Sequence, residues 1–517
     1  MRFRSFAVAL AVAAATMVAA CSDTPPPTAA VPIVPKTPSA LINPAVACTG
    51  ATMPVGECQA LVALYNSTNG PAWEDAGSWG VNPNPCLWEE VTCTDGDHGS
   101  VDAIDLISNG LTGPLPPEIG NLTQTRRINL SGAKLTGSIP TQIGNLTNIE
   151  SLALGYATLA GPIPLQLTTL PKLRILHLYA DTFGGAIPPE IGNITTLEFL
   201  VLELGTVTGG IPWSFGNLVN LRGLMMRATG LTGTIPPTLG DMTKLEELHL
   251  QDNELSGSIP AALGNLANLK VLRLTNNNLM GIIPTTFADL DKLEWLDASQ
   301  NALSGPIHPA LGGMAKLEAF IVTDNNLSGP IPPELANIST LRHLFLERNA
   351  LSGTIPVALS QLTQMVEVYL DGNDFGGQLP LAVAQLLGSR SCNATPGNDE
   401  LFVPDLPAYR AADVYDRGNI CGLPFSSAED IGEDTVDDVG ELVPSVLNQG
   451  QANALQAKIN NAMEKAAKGQ YSAAINQMNA FLTQLNDMIT SGTLTPAQAA
   501  PFIEQAQTLI AIWTAML

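Results

Sequence analysis

Apolar and polar positions along this chain follow two periods, and the change from one to the other falls near residue 445. From Val101 to Gly388 apolar residues recur at positions 1, 4, 6, 11, 15, 19 and 22 of a 24-residue block, and the block repeats twelve times without a break. The stretch from Leu245 to Asn268 (LEELHLQDNELSGSIPAALGNLAN) carries the whole pattern. Gly stands at position 13 in all twelve blocks, from Gly113 to Gly377, and Pro at position 16 in all but one, where His308 replaces it. A single block cannot bury so many apolar side chains, so successive coils must stack and share one core, which makes the region a solenoid. Positions 4 and 6 flank an outward residue, the alternation of a short strand with one buried face. Twelve such strands side by side predict a parallel sheet on a concave surface, on the order of 50 Å along its arc at about 4.8 Å per step. The Gly and Pro force a turn on the return path.

The L-x-G-x-I-P-x-x-L-G segment resembles the plant-type leucine-rich repeat of receptor-like kinases and polygalacturonase-inhibiting proteins, over 288 of the 517 residues. The resemblance implies an α/β solenoid, a leucine-rich-repeat superhelix whose position-9 Asn residues form a ladder by bonding backbone groups of adjacent coils. Asn109, Asn253, Asn277, Asn301, Asn325, Asn349 and Asn373 match that position, but blocks two to six carry Ala133, Ala157, Asp181, Gly205 and Thr229. An unpaired buried amide costs about 1–3 kcal/mol, so those five coils need water, a Thr or Asp side chain, or another local turn. Residues 48–100 read as an N-terminal cap, of which 57–93 resemble the cap of the same proteins, with a helix at Cys58–Tyr65, a C-x-W-x-x-V-x-C turn at Cys86–Cys93, and Trp73, Trp79 and Trp88 as core. Residues 389–424 close the solenoid in a segment whose Asn419–Pro424 (NICGLP) is similar to the family's closing motif.

Beyond an acidic linker at 425–444, residues 445–517 turn to helical periodicity. Leu455, Ile459 and Met463 line one face, Ile475, Met478, Phe481, Leu482 and Leu485 a second, and Phe502, Ala506, Leu509, Ile510 and Trp513 a third, which predicts three helices. Thr495-Pro496 supplies an N-cap and a first-turn Pro, and Gly469 and Gly492 separate the helices. The module resembles the FIMAH helical domain appended to secreted bacterial enzymes and adhesins. Seven carboxylates and no base between residues 426 and 441 read as a solvated linker, since the spacing of a calcium loop is absent.

The beginning of the chain changes the picture by giving it an address. Arg2 and Arg4 precede an apolar run and Val18-Ala19-Ala20-Cys21, so residues 1–20 read as a secretory signal peptide. Cys21 resembles the lipidated Cys of a bacterial lipobox, and Ser22 the outer-membrane sorting preference of such lipoproteins, implying an exported protein lipid-anchored to the cell envelope. The Pro-rich stretch 21–47 is then a semi-rigid spacer. Six further cysteines flank the solenoid, which in an exported protein points to disulfide-bonded caps. Six cysteines allow fifteen pairings, and the expected set is Cys48–Cys58, Cys86–Cys93 and Cys392–Cys421.

A formal net charge of −24 argues against nucleic acid or an anionic membrane face as partner, and 45% hydrophobic residues suffice for a core. No P-loop, G-x-S-x-G, H-E-x-x-H or kinase motif set occurs, so neither an enzyme nor a cofactor is expected. His177 and His249 share a strand position three coils apart, about 14 Å, too far for one metal. The candidate site is therefore the outward row of the strands: Ile175, His177, Tyr179, Phe199, Glu203, Arg227, His249, Arg273, Trp295, Phe345 and Tyr369. Exposed aromatic and apolar side chains rimmed by charge mark an interaction surface, and the apolar run from Ile175 to Met225 places its centre in blocks four to six. The expected function is recognition of a protein, peptide or glycan, with the membrane reached through the lipid anchor only. The alternative is a structural or adhesive envelope protein whose repeats act as spacer. Ice or mineral binding through Thr112, Thr136, Thr208 and Thr232 at position 12 fails to persist past Ser256 and Met280.

Overall fold

The computed structural model describes residues 41–48, 52–155, 158–179, 182–203, 205–387, 391–394, 397–398, 400–404, 425–426 and 447–514. The leader, Cys21, Cys421 and most of the acidic linker lie outside them. Coil one begins at Val101 and each later coil 24 residues further on.

The strand of each coil adds to one 14-stranded sheet, and all its pairings are parallel except the first. Adjacent strands meet 24 residues apart, as in Leu248 opposite Leu272. Position 4 and position 6 residues such as Leu248, Leu250, Leu272 and Leu274 are fully buried, and together with the apolar residues of the return path they form one continuous core. Position 13 is glycine because the chain needs a left-handed backbone there: all twelve have φ between 74° and 112°, a region that costs other residues steric strain. The return path packs as short 3-10 turns such as Pro237–Asp241. A Cβ at Gly240 would come 2.2 Å from the Ala262 carbonyl oxygen of the next coil, so close stacking excludes any larger residue.

The ladder runs as the repeat pattern implies. Asn301 donates to the Leu274 carbonyl of the preceding coil at 3.0 Å and accepts the Leu279 N–H at 3.0 Å. Asn253, Asn277, Asn325, Asn349 and Asn373 do the same for their neighbours. Asn109 instead grips the cap, accepting the Asp75 N–H. The ladder also extends beyond the twelfth block: strand Ser391–Asn393 joins the sheet in register with Glu367–Tyr369, and Asn398, one residue out of phase, accepts the Phe375 N–H. Where the Asn is missing, hydroxyls substitute in part. Thr158 donates to the Leu135 carbonyl, Thr206 to that of Phe183, and Thr229 to Asn253 Oδ1. Strands Ile175–Tyr179 and Phe199–Glu203 are also longer than the three-residue strands that follow, pairing over five residues.

A second ladder, of charge, lies at position 2 beside the strands. Asp102, Arg126, Glu150, Arg174, Glu198, Arg222, Glu246 and Lys270 alternate in sign from coil to coil. Arg126 pairs with Asp102, Arg174 with Glu198, and Glu246 with both Arg222 and Lys270. Each pair is solvated and worth about 0–1 kcal/mol, yet a slip by one coil would set like charges side by side.

At the N-terminal end, helix α1 (Pro44–Ala47) packs against helix α2 (Val55–Ser67), which covers coil one. Strand Val91–Cys93 pairs antiparallel with Val101–Asp105 and closes the sheet edge. Disulfides join Cys48 to Cys58 and Cys86 to Cys93, as expected. Trp73, Trp79 and Trp88 are buried around Tyr65, and each indole N–H donates to a backbone carbonyl. They are core. Glu57 is only 3% exposed and accepts the Val101 N–H at 2.7 Å, and burial pushes its carboxyl above the ordinary value near 4.5. The folded cap therefore holds this proton more tightly than the unfolded chain does. The stabilisation it gives is complete below about 4.5 and is lost as pH rises through the raised value. Glu57→Gln keeps the acceptor without the charge, so the difference in melting temperature between variant and wild type should grow in the variant's favour from pH 4.5 to 7. A difference independent of pH would show that Glu57 does not titrate in this way.

Helix α3 (Leu381–Leu387) forms the return path of coil twelve, and the C-terminal residues form three helices, α4 (Gln449–Ala467), α5 (Tyr471–Thr490) and α6 (Pro496–Thr514). Asn448 and Gln451 make a reciprocal capping box at the start of α4, and Thr495 caps α6 by accepting the Gln498 N–H. The three predicted apolar faces meet in a core of their own around Leu455, Met478, Phe481, Leu509 and Trp513. Helix α6 packs beside strand Asp374–Gln378 of coil twelve. Among the described residues no helix is long and apolar enough to cross a membrane.

Candidate ligand-binding face

The outward positions 3, 5 and 7 of the strands form one continuous surface, and the expected residues all lie on it, but they divide into two unlike stretches. In coils four to six Ile175 is 37% exposed while His177, Tyr179, Phe199, Val201, Glu203 and Met225 are half-buried among one another. His177 meets Tyr179 edge to face at 6.0 Å, and Arg222 lies over the Phe199 ring at 5.7 Å. Burial lowers the His177 pKa and raises that of Glu203. Arg227, expected to supply a polar contact, already donates to Asp252 at 2.9 Å. This stretch is largely satisfied by its own neighbours.

Coils seven to twelve differ. Trp295, His343, Phe345 and Tyr369 form a chain of rings, with centroids 6.3, 6.0 and 4.8 Å apart in turn. Arg273 lies over Trp295 at 5.4 Å and makes no ion pair among the described residues; burial lowers its pKa against the pull of Asp297 and Glu247. His249 is 8% exposed. Its Nε2 lies 3.4 Å from Glu247 Oε2, an electrostatic contact that holds Glu247 below the usual carboxylate range without forming an aligned hydrogen bond. His343 Nδ1 is 2.9 Å from Glu367 Oε2.

Six buried polar atoms on this face have no hydrogen-bond partner among the described residues: His249 Nε2, Gln251 Oε1, Arg273 Nε, Trp295 Nε1, Thr323 Oγ1 and Glu347 Oε2. All six fall in coils seven to eleven. Such a group costs about 1–3 kcal/mol when left unsatisfied, and proteins pair the great majority of them. A row of them on one open face is what a surface prepared for a partner's polar groups looks like. Sequence reasoning found His249, Arg273, Trp295, Phe345 and Tyr369 but not Gln251 or Thr323, because position 7 in these coils carries common polar residues whose lack of partners only the fold reveals.

Elsewhere, a cleft of about 430 Å³ opens beside Glu57 and Gln124, but the Glu57 carboxylate is already engaged by Val101. Among the described residues no group of three or more His, Cys, Asp or Glu could hold a metal ion.

Comparison with known proteins agrees with this architecture. Leucine-rich-repeat family models match residues 243–303 and 340–362, all within coils that keep the ladder Asn or adjoin them, and a FIMAH domain model matches residues 446–511. The receptor-like serine/threonine-protein kinase RGI2 of Arabidopsis thaliana is 34% identical over 83 residues, 15% of this chain and 7% of that protein. FEI 2, a kinase of the same kind and organism, is 42% identical over 71 residues, 13% of this chain and 12% of its own. Among solved structures, the plant peptide hormone receptor RGFR1 in complex with RGF2 is similar at a TM-score of 0.56 and 32% identity, over 59% of this chain and 51% of that one. PEPR1–AtPEP1 is similar at 0.59 and 32%, over 64% and 46%. The chain thus spans a small fraction of the kinases it matches and about half of each receptor structure, and the likeness is confined to the repeats. The protein is a leucine-rich-repeat solenoid, of the kind found in plant receptor ectodomains, that also carries a FIMAH domain.

Proposed function

We propose that this chain is an envelope-anchored, non-catalytic recognition protein whose strand face holds a peptide or an extended segment of a partner protein. The observation that carries this reading is the row of buried, unpartnered polar atoms beside the ring chain from Trp295 to Tyr369. Similarity to a plant peptide hormone receptor solved in complex with RGF2 supports the same class of partner. A random-peptide display selection on the full chain tests it: wild type should enrich a consensus that Trp295→Ala loses, since buried aromatic anchors dominate such interfaces. Enrichment that ignores Trp295→Ala, Phe345→Ala and Tyr179→Ala alike would place recognition off the strand face and favour the spacer reading.

Anchoring rests on the thiol of Cys21. Cys21→Ser should abolish incorporation of labelled palmitate and release the exported chain from the membrane fraction; labelling equal to wild type removes the anchor from the proposal.

A further inference from the structure

The unsatisfied atoms change in chemistry along the stretch. Coil seven holds both the Gln251 amide oxygen and the His249 nitrogen that faces Glu247, whereas in coils eight and nine the unpartnered atoms, of Arg273 and Trp295, are nitrogens that can only donate. In coils ten and eleven they are oxygens, of Thr323 and Glu347. Glu347 and Asp371 each stand two residues beyond the in-register pair Phe345 and Tyr369, one strand spacing apart, about 4.8 Å. Two carboxylates so placed repel each other, and the nearest arginine, Arg348, is engaged by Asp324 through both guanidinium nitrogens that face it. Glu367 is likewise held by His343. Thr323, 7% exposed, sits close enough to act on the Glu347 carboxyl, and its hydroxyl has no aligned hydrogen-bond partner among the described residues. Beside this pair of acids the Phe345 and Tyr369 rings tilt at 55° with centroids 4.8 Å apart.

We propose that Glu347, Asp371, Phe345 and Tyr369 form a subsite for a cationic side chain, lysine or arginine, of an extended peptide lying along coils eight to twelve. The proposal rests on the peptide-binding reading above and goes further by naming what the peptide must carry. Three kinds of observation converge. Glu347 Oε2 is a buried acceptor with no hydrogen-bond partner among the described residues, and Asp371 stands half-buried beside it. The rings offer an apolar floor for the stem and a π face for the charge. The face as a whole is acidic: Asp105, Glu203, Glu247, Asp297, Glu347, Glu367 and Asp371 stand at outward positions against Arg127, Arg227 and Arg273, and the first two arginines are already paired with carboxylates. Between the donors of Arg273 and the acids of Glu347 lie three strand spacings, about 14 Å, the span of roughly four extended residues. Ala319 and Ile321, both buried, give that interval an apolar floor. The donors then take peptide carbonyls and the acids take the basic side chain.

The probe is a peptide selected from the random library, synthesised with its basic residue intact or replaced by norleucine, which keeps the stem and removes the charge. Full-length wild type, Glu347→Gln, the Glu347→Gln/Asp371→Asn double variant and Phe345→Ala are titrated with both. The expected result is a basic residue in the selected consensus and at least tenfold weaker binding to Glu347→Gln than to wild type. Norleucine peptide should bind wild type and both carboxylate variants equally, and only the lysine peptide should weaken with salt. Glu347→Gln removes a half-buried charge and keeps the shape, so its melting temperature should match wild type or exceed it. Peptides that lose affinity with Trp295→Ala but bind the double variant as tightly as wild type overturn the cationic subsite while leaving peptide recognition standing. A library that yields no peptide for wild type overturns both.

Discussion

Asn301→Ala is expected to cost about 1–3 kcal/mol, because one side chain holds two coils together and its loss takes the acceptor from a backbone N–H in an apolar interior. Its amide donates to the carbonyls of Leu274, Ala298 and Ser299, and its carbonyl accepts the N–H of Leu279, a residue with no exposed surface. The three carbonyls keep other donors, Asn277 Nδ2 on Leu274, Asn325 Nδ2 on Ala298 and the Asn276 N–H on Ser299, so alanine leaves the buried Leu279 N–H as the group that loses its side-chain acceptor, at about 1–3 kcal/mol. A solenoid's stability is a sum over coils and their interfaces, so the loss should show in urea unfolding as an early transition around coils eight and nine. Thr229→Val in coil six provides the comparison. It removes a hydroxyl bonded to Met226 and Asn253 but leaves the Asn253 carbonyl its two backbone donors, Thr229 and Leu231, so about 1 kcal/mol is expected. If Asn301→Ala unfolds within 0.5 kcal/mol (about the scatter of surface substitutions) of wild type, the ladder is not what holds these coils.

What was legible in the sequence is what depends on a fixed period. Leu248 and Leu250, Gly257 and Pro260 recur at the same offsets because every coil meets the same neighbours, and the cap tryptophans announce themselves by the need to cover an open end. Features that break phase or lie between the apolar positions were harder to read. Asn398 serves the ladder one residue late, so a count in blocks of 24 ends the repeats before it. The position-2 charges from Asp102 to Lys270 have the full repeat period but alternate in sign, which a reading of apolar positions passes over. The candidate site was half legible. Aromatic residues at outward positions marked the face, yet counting them favoured Tyr179 and Phe199. The buried atoms without partners lie instead between His249 and Glu347. Whether a polar group is satisfied depends on neighbours 24 residues away on either side, and identity alone does not give that.

The coils that lack the Asn should also open first. In coils eight to eleven one Asn supplies about four hydrogen bonds per coil, whereas Thr158 in coil three and Thr206 in coil five each supply one to the preceding coil. At about 0.5–1.5 kcal/mol net per bond, the deficit is roughly 2 kcal/mol per coil, offset in part where strands Ile175–Tyr179 and Phe199–Glu203 pair over five residues. The N-terminal cap is closed by two disulfides and the tryptophan cluster, so opening cannot simply fray inward from that end. It must occur as a local unit between coil one and the ladder that resumes at Asn253. Amide hydrogen exchange should therefore show strand amides of coils two to five exchanging about thirtyfold faster than those of coils eight to eleven, since each 1.4 kcal/mol is a factor of ten. Asn301→Ala should bring its own coil toward the faster group without changing coils two to five. Equal protection from coil two to coil eleven in wild type would mean that the longer strands and threonine hydroxyls replace the ladder in full. The fold would then owe its cohesion to the shared apolar core and not to the amides that mark its sequence.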